Sequence, residues 1–185
     1  MRTAVLALQG AFLEHEEILG SLGVSCFELR KKSDLENDFD SLILPGGEST
    51  VQGKLLRELG MFEPLKKKIE SGIKVLATCA GLILLAEKIS NDGRVHFGTM
   101  PVCVRRNAYG RQLGSFFTEA PFGALGNIPM TFIRAPYIES VKAGVEVLAE
   151  VDGKIVAAKY KNQTALSFHP ELGFDKRLYE WWIAS

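Results

Sequence analysis

Three short stretches of this chain carry residue types that could do chemistry. The first is KVLATCAGLILLA, residues 74–86, in which an apolar run meets Cys79, then Ala80 and Gly81, and turns apolar again. A thiol attacks a carbonyl only as thiolate, and a helix N-terminus favours the anion through its free N–H groups and positive dipole end. With a strand over 73–78 and a helix over 80–89, Cys79 stands at the corner between them. Small neighbours at Ala77, Ala80 and Gly81 permit a sharp turn, and the Ala80 N–H lies beside any oxyanion formed at Cys79. The nucleophile elbow of α/β-hydrolases gives serine the same setting. A cysteine in an apolar segment is otherwise a core residue, so the assignment depends on what accompanies it.

The second stretch is SLILPGGEST, residues 41–50. An apolar strand ends in Pro45, Gly46 and Gly47, and paired glycines let the backbone approach a ligand closely. The Gly47 N–H is the natural second oxyanion donor; the competing reading is an ordinary turn with Ser49 or Thr50 as a helix cap. The third stretch is ALSFHPELG, residues 165–173. A cysteine nucleophile needs a base, and the base needs a group that fixes its tautomer. His169 ends a strand, Pro170 restricts the backbone, and Glu171 is placed to reach back to the imidazole. His15 and His96 lie among polar residues with no adjacent orienting group and are expected to face solvent.

These three stretches must be brought together by a fold. Residues 3–8, 24–29, 39–47 and 73–78 read as buried strands, and 11–23, 60–72 and 80–89 as helices. Phe12, Ile18, Leu19 and Leu22 fall near one helical face. Strands and helices in this order imply a parallel sheet covered on both faces, with ligands at the carboxyl ends of its strands. The second half is rich in strands, over 101–106, 114–120, 130–135, 145–151, 154–160 and 163–168. Asp152-Gly153 marks a hairpin. Residues 174–185 read as a closing helix docked by Trp181 and Trp182. The expectation is one α/β domain over 1–185: three layers, a mostly parallel central sheet and antiparallel additions.

Composition narrows the function classes. Lysine plus arginine number 22, as do aspartate plus glutamate, so the basic excess of a nucleic-acid binder is missing. No apolar run approaches the ~20 residues of a membrane helix. The three cysteines, Cys26, Cys79 and Cys103, are widely spaced and suggest neither a disulfide framework nor a metal site. A cytoplasmic setting is expected.

Together, TCAG, PGGES and HPE resemble the class I, triad-type glutamine amidotransferases. LALQGAFLEH (6–15), LPGGEST (44–50), TCAGLILLA (78–86), RNAYGRQ (106–112), FIRAP (132–136) and SFHPEL (167–172) narrow the resemblance to one branch. That branch is the glutaminase subunit of pyridoxal 5′-phosphate synthase, and the fold implied is flavodoxin-like. The resemblance implies a Cys79–His169–Glu171 triad that hydrolyses L-glutamine to glutamate and ammonia. It implies substrate contacts from Gly47, Glu48, Ser49, Arg106, Ile133 and Arg134, an oxyanion hole at Gly47 and Ala80, no cofactor and no metal. The implied partner is the synthase subunit that consumes the ammonia. Arginine suits the substrate carboxylate because its fork donates in parallel, and Arg111 is a further candidate. Ala77 departs from the glycine many relatives carry there. Competing readings are another cysteine hydrolase of this fold, the glutaminase of another synthase such as the imidazole glycerol phosphate enzyme, and a catalytically silent interaction subunit.

Overall fold

The computed structural model describes residues 1–106 and 114–185, so Arg111 and most of RNAYGRQ lie outside the described residues. In chain order the first half comprises β1 (Arg2–Leu6), α1 (Phe12–Ser21), β2 (Ser25–Leu29), β3 (Ser41–Leu44), α2 (Ser49–Glu58), α3 (Phe62–Glu70), β4 (Lys74–Thr78) and α4 (Ala80–Leu85). The second half comprises β5 (Ala86–Ile89), β6 (Met100–Arg105), β7 (Ser115–Pro121), β8 (Asn127–Ile133), β9 (Tyr137–Val141), β10 (Glu146–Val151), β11 (Lys154–Tyr160), β12 (Gln163–Leu166) and α5 (Arg177–Ala184). Among these residues the central sheet runs β2-β1-β3-β4-β12-β11-β9-β6-β5, with β10 paired to β11 and β7–β8 as a separate hairpin. The pairs from β2 to β12 are parallel. From β12 to β6 they are antiparallel.

The parallel strands β1, β3, β4 and β12 are buried at nearly every residue because both faces are covered. Ala4, Leu6, Leu42, Leu44, Val75 and Ala77 pack toward α2, α3 and α4. The alternate residues Val5, Ile43 and Leu76 pack with Ile18 and Leu19 of α1 and with Leu178, Tyr179 and Trp182 of α5. Each fully buried valine, leucine or isoleucine among them contributes about 1.5–3 kcal/mol. Trp182 is buried and Trp181 meets the Phe122 ring edge-on at 5.4 Å, as expected of a docked closing helix. Lys74 Nζ donates to the Trp182 and Ile183 carbonyls at 3.0 and 3.1 Å, satisfying the end of α5. The Asp152-Gly153 hairpin is present, with φ of 51° and 70° at the two turn residues. No helix among the described residues is long and apolar enough to cross a membrane.

Three elements differ from the sequence reading, the first being α2, Ser49–Glu58, which lay in no expected helix. The helix expected over 80–89 stops at Leu85, and Ala86–Ile89 becomes β5, paired with β6. Residues 80–86 are apolar and buried and so carry no period, and only the pairing of Ala86–Ile89 with β6 decides where helix gives way to strand. β9, Tyr137–Val141, lay in no expected strand; it fills the place between β6 and β11.

His15 and His96 do not face solvent. His15 is fully buried and His96 nearly so. Burial, reinforced by Arg57, Arg106 and Arg94, lowers the His96 pKa to about 4, so its imidazole is neutral at pH 7. That imidazole lies against α2, where a Cβ on Gly53 would fall 2.2 Å from His96 Nδ1. Glycine within a helix is ordinarily about 0.5–1 kcal/mol worse than alanine. Here the sign reverses: Gly53→Ala should cost about 1–3 kcal/mol through overpacking and lower Tm by several degrees in a thermal melt. A raised Tm would show that the ring yields freely.

Candidate active site

Sheet order brings the three chemical stretches together. β3, β4 and β12 are adjacent and parallel, with Leu44 opposite Ala77 and Leu166 opposite Thr78. Strands lie ~4.8 Å apart, so the loops leaving their carboxyl ends converge. Pro45-Gly46-Gly47 leaves β3, Cys79 leaves β4, and Ser167-Phe168-His169 leaves β12.

Cys79 occupies φ 47°, ψ −97°, a conformation a side-chain-bearing residue rarely adopts. Such strain costs about 1–3 kcal/mol and persists only where the surroundings over-determine it. Here they do. The Cys79 N–H donates to Leu166 O at 2.8 Å, continuing the β4–β12 ladder, and its carbonyl accepts from Ile83 N–H at 3.4 Å, starting α4. α4 enters so close to β3 that a Cβ on Gly81 would lie 2.1 Å from Leu44 O. The substituted position before the corner carries no such strain. Ala77 is an extended residue paired in β4, so alanine fits there.

His169 is set by its backbone and by Glu171. Its N–H donates to Thr131 O of β8 at 2.8 Å. Pro170 opens a 3-10 turn, Pro170–Leu172, which brings Glu171 Oε1 to 2.6 Å from His169 Nδ1. The imidazole lies over Gly46, where a Cβ would fall 2.3 Å from Cε1, so only glycine fits beneath it. Burial alone would lower the His169 pKa. Hydrogen bonds with Cys79 and Glu171, and their negative charge, outweigh burial and raise it to about 10. Burial likewise opposes ionisation of Glu171, but His15 and the hydrogen bond from His169 prevail and lower its pKa.

Cys79 and His169 open onto a cleft of about 210 Å³. Gly47, Glu48 and Ser49 line one side, Ile133 and Arg134 another, and Arg106 also borders it. Of the residues expected from sequence, Glu171 sits behind His169 and Ala80 heads α4 beside Cys79. Ser49 does not cap α2: its hydroxyl is buried and has no partner among the described residues. Arg134, at φ 44°, reaches across the mouth to Glu48 Oε1 at 3.3 Å, with both side chains largely exposed. Arg106 is more enclosed and pairs with Asp92 Oδ2 at 2.7 Å. Arg94 and Arg106 together hold the Asp92 carboxyl well below the usual range.

The sequence reading left out Ile83 and Pro136, which also line the cleft, and expected the Gln9-Gly10 loop to control the site without lining it, whereas Gln9, Gly10 and Ala11 border the cleft. That loop is locked to the glycine pair. Ala11 N–H donates to Gly46 O at 3.1 Å, Glu48 N–H to Gln9 Oε1 at 2.7 Å, and Gln52 Nε2 to Gln9 O at 2.8 Å. A Cβ on Gly10 would come within 1.8 Å of Gly46 O, which is the local reason for glycine in QGA. Cys26 and Cys103 sit on β2 and β6, away from this cleft. Burial pushes both thiols up, with help from Glu16 and Glu139 respectively.

Residues 5–185 match the family model described as "SNO glutamine amidotransferase family". The "Pyridoxal 5′-phosphate synthase subunit PdxT" of Desulfitobacterium hafniense (strain Y51) is 65% identical over 100% of this chain and 93% of its own. The protein of the same name from Methanocorpusculum labreanum is 58% identical over 99% of this chain and 96% of its own. A solved structure described as "Crystal structure of glutamine amidotransferase" superposes with a TM-score of 0.92 at 42% identity, covering 98% of this chain and 97% of that one. PurLQS from Thermotoga maritima, at 15% identity and a TM-score of 0.77, shares the fold. With the family model matched from residue 5 to residue 185, and relatives this similar across nearly all of both chains, the protein belongs to the SNO glutamine amidotransferase family.

Proposed function

We propose that the chain is a single glutaminase domain that hydrolyses L-glutamine to L-glutamate and ammonia through Cys79, His169 and Glu171. We further propose that it works in the cytosol as the glutaminase subunit of a pyridoxal 5′-phosphate synthase. The observation that carries the chemistry is the strained Cys79 corner beside a buried imidazole bonded to Glu171 at 2.6 Å. The subunit assignment rests on the relatives at 58 and 65% identity, both called pyridoxal 5′-phosphate synthase subunits.

In this reading the Cys79 thiolate attacks the side-chain amide carbon of glutamine and forms a C–S bond. The oxyanion is held by the N–H groups of Gly47 and Ala80, and donors of this kind are each worth about 10²–10³ in rate. The Gly46 carbonyl is tied to Ala11 N–H. Across a trans peptide the Gly47 N–H therefore points the other way, away from the Gln9–Ala11 loop. His169, cationic at neutral pH, gives its proton to the amide nitrogen as the C–N bond breaks, and ammonia leaves. The neutral imidazole then takes a proton from water, whose oxygen attacks the γ-glutamyl thioester. Collapse releases glutamate and returns the thiolate. Glu171 holds Nδ1–H throughout, so Nε2 exchanges the protons.

The mouth of the cleft suits an amino acid zwitterion. Arg134 and Glu48 are an exposed ion pair worth at most ~1 kcal/mol, so separating them costs little. Glu48 then meets the α-ammonium, while Arg134 and Arg106 face the α-carboxylate. Ile133 supplies apolar contact, and the Ser49 hydroxyl, with no partner among the described residues, bonds the substrate.

Free ammonia is mostly ammonium in water at neutral pH and is then not nucleophilic. A biosynthetic glutaminase therefore gains by passing ammonia directly to its synthase subunit, and by staying slow until that subunit docks. The Gln9–Ala11 and Gly46–Gly47 loops, joined by their hydrogen bonds, are placed to transmit docking to the oxyanion donors.

The deciding experiment is glutamate release from glutamine, alone and with a pyridoxal 5′-phosphate synthase subunit. Slow turnover alone, at least a several-fold rise with the partner, and none in Cys79→Ala are expected; equal kcat/KM with a demonstrably bound partner would refute the gating. Because Glu171 orients rather than attacks, Glu171→Gln should keep more activity than His169→Asn, measured as kcat in the complex. Arg106→Ala should lower kcat/KM for glutamine by about one to two orders of magnitude, the loss of one charge-assisted contact; a wild-type value would leave Arg106 as Asp92's partner alone.

A further inference from the structure

The reaction just described makes no use of His15, yet this imidazole is fully buried directly behind the catalytic carboxylate. It lies on α1 and touches three other elements. Tyr179 OH of α5 is 2.7 Å from His15 Nδ1. Thr78 Oγ1, on the residue before the nucleophile, is 3.3 Å from His15 Nε2. Glu171 Oε1 is 3.7 Å from the same Nε2. Tyr179 is itself fully buried, and Glu171 Oε2 has no hydrogen-bond partner among the described residues.

The proton on this imidazole can be placed by elimination. Burial lowers the His15 pKa despite Glu171, so the ring is neutral and carries one proton. With the proton on Nδ1, the Nε2 lone pair would face the Glu171 carboxylate across 3.7 Å, lone pair against anion. With the proton on Nε2, the N–H dipole points at Thr78 Oγ1 and Glu171 Oε1, and Nδ1 accepts from the Tyr179 hydroxyl. Both ring nitrogens of His15 are then satisfied. The Tyr179 phenol keeps its proton and so can donate it, since burial raises its pKa well above the ordinary value.

We propose that His15, held in its Nε2–H tautomer by the Tyr179 hydroxyl, is a positioning residue for the catalytic array. Its N–H, bonded to Thr78 Oγ1 on the strand that ends in Cys79 and with its dipole directed at Glu171 Oε1 3.7 Å away, keeps the orienting carboxylate anionic. The proposal rests on the Cys79–His169–Glu171 reading and deepens it. The charged and titratable groups around His15 are Glu171 and His169 behind the cleft, Tyr179 on α5, and Glu14 on its own helix.

The sign of the effect follows. The Glu171 carboxylate that this N–H dipole faces carries a negative charge. A neutral donor aimed at that charge disfavours uptake of a proton. Removing the donor therefore raises the pH at which the array protonates and activity is lost on the acid side. Loss of one such contact corresponds to about half to one pH unit.

The test combines two measurements on the full chain that do not require glutamine. Long-range ¹⁵N–¹H spectra assign the imidazole tautomers; protonated Nε2 and bare Nδ1 at His15 are expected, and the reverse would overturn the proposal. The rate of Cys79 alkylation by iodoacetamide is then followed against pH. The acid limb should move up by about half to one unit in His15→Leu, move less in the same direction in Tyr179→Phe, and stay in place in His15→Gln, whose amide N–H can occupy the Nε2 position. An unmoved limb in Tyr179→Phe and in any folded His15→Leu would also overturn it. Should His15→Leu fail to fold, the tautomer and Tyr179→Phe decide. Wild-type alkylation with the profile of an unassisted thiol would refute the triad reading instead.

Discussion

The backbone strain at Cys79 is the constraint on which the rest of the site depends. A residue with a side chain holds φ 47°, ψ −97° only if the chain on both sides is fixed. On one side it is fixed by the parallel pairing of β4 between β3 and β12, where every residue of β4 except Lys74 is buried. On the other it is fixed by α4, whose six residues are all buried and whose Gly81 rests against the Leu44 carbonyl. The corner lifts the thiol out of the sheet toward the cleft and starts a helix at Ala80, so strain and donor geometry arise from one turn.

The electrostatics depend on a single buried carboxylate flanked by two imidazoles that behave oppositely. His169 is raised to about 10 because two negative partners outweigh its burial. His15 is lowered because it is more deeply buried and its partners are a phenol, a hydroxyl and a more distant carboxylate oxygen. Glu171 is thereby held as an anion in a setting that would otherwise protonate it. Histidine serves both purposes because its unperturbed pKa lies near neutrality, so modest differences in surroundings select the cation in one place and the neutral donor in the other.

Outside this buried interior the cleft is bordered by charged groups of a different character. Arg134 and Glu48 are exposed and loosely paired, and Arg106 is half enclosed with Asp92. Rigid groups thus do the proposed bond-breaking, and yielding groups receive the substrate. The interlock of Gln9–Ala11 with Gly46–Glu48 lies between the two regions and joins α1, which also carries His15, to the loop that bears the proposed oxyanion donor.

The local patterns in the sequence determined much of this arrangement. Mostly apolar runs such as SLIL and KVLAT identified strands covered on both faces, the Asp152-Gly153 pair identified its hairpin, and TCAG, PGGES and HPE each marked the end of a strand where chemistry could sit. His15 was legible too. It precedes Ile18, Leu19 and Leu22 by three, four and seven residues, the spacing of one helical face, but its polar neighbours in sequence argued for solvent. What only the tertiary structure decided were relations between distant segments: that β12 inserts beside β4, that Ala86–Ile89 leaves the helix for the sheet, and that Tyr179, 164 residues from His15, closes the network behind Glu171. Periodicity and turn chemistry report what a residue does to its neighbours within a few positions. Which strand lies next to which, and which buried polar groups must therefore satisfy one another, is set by packing across the whole chain.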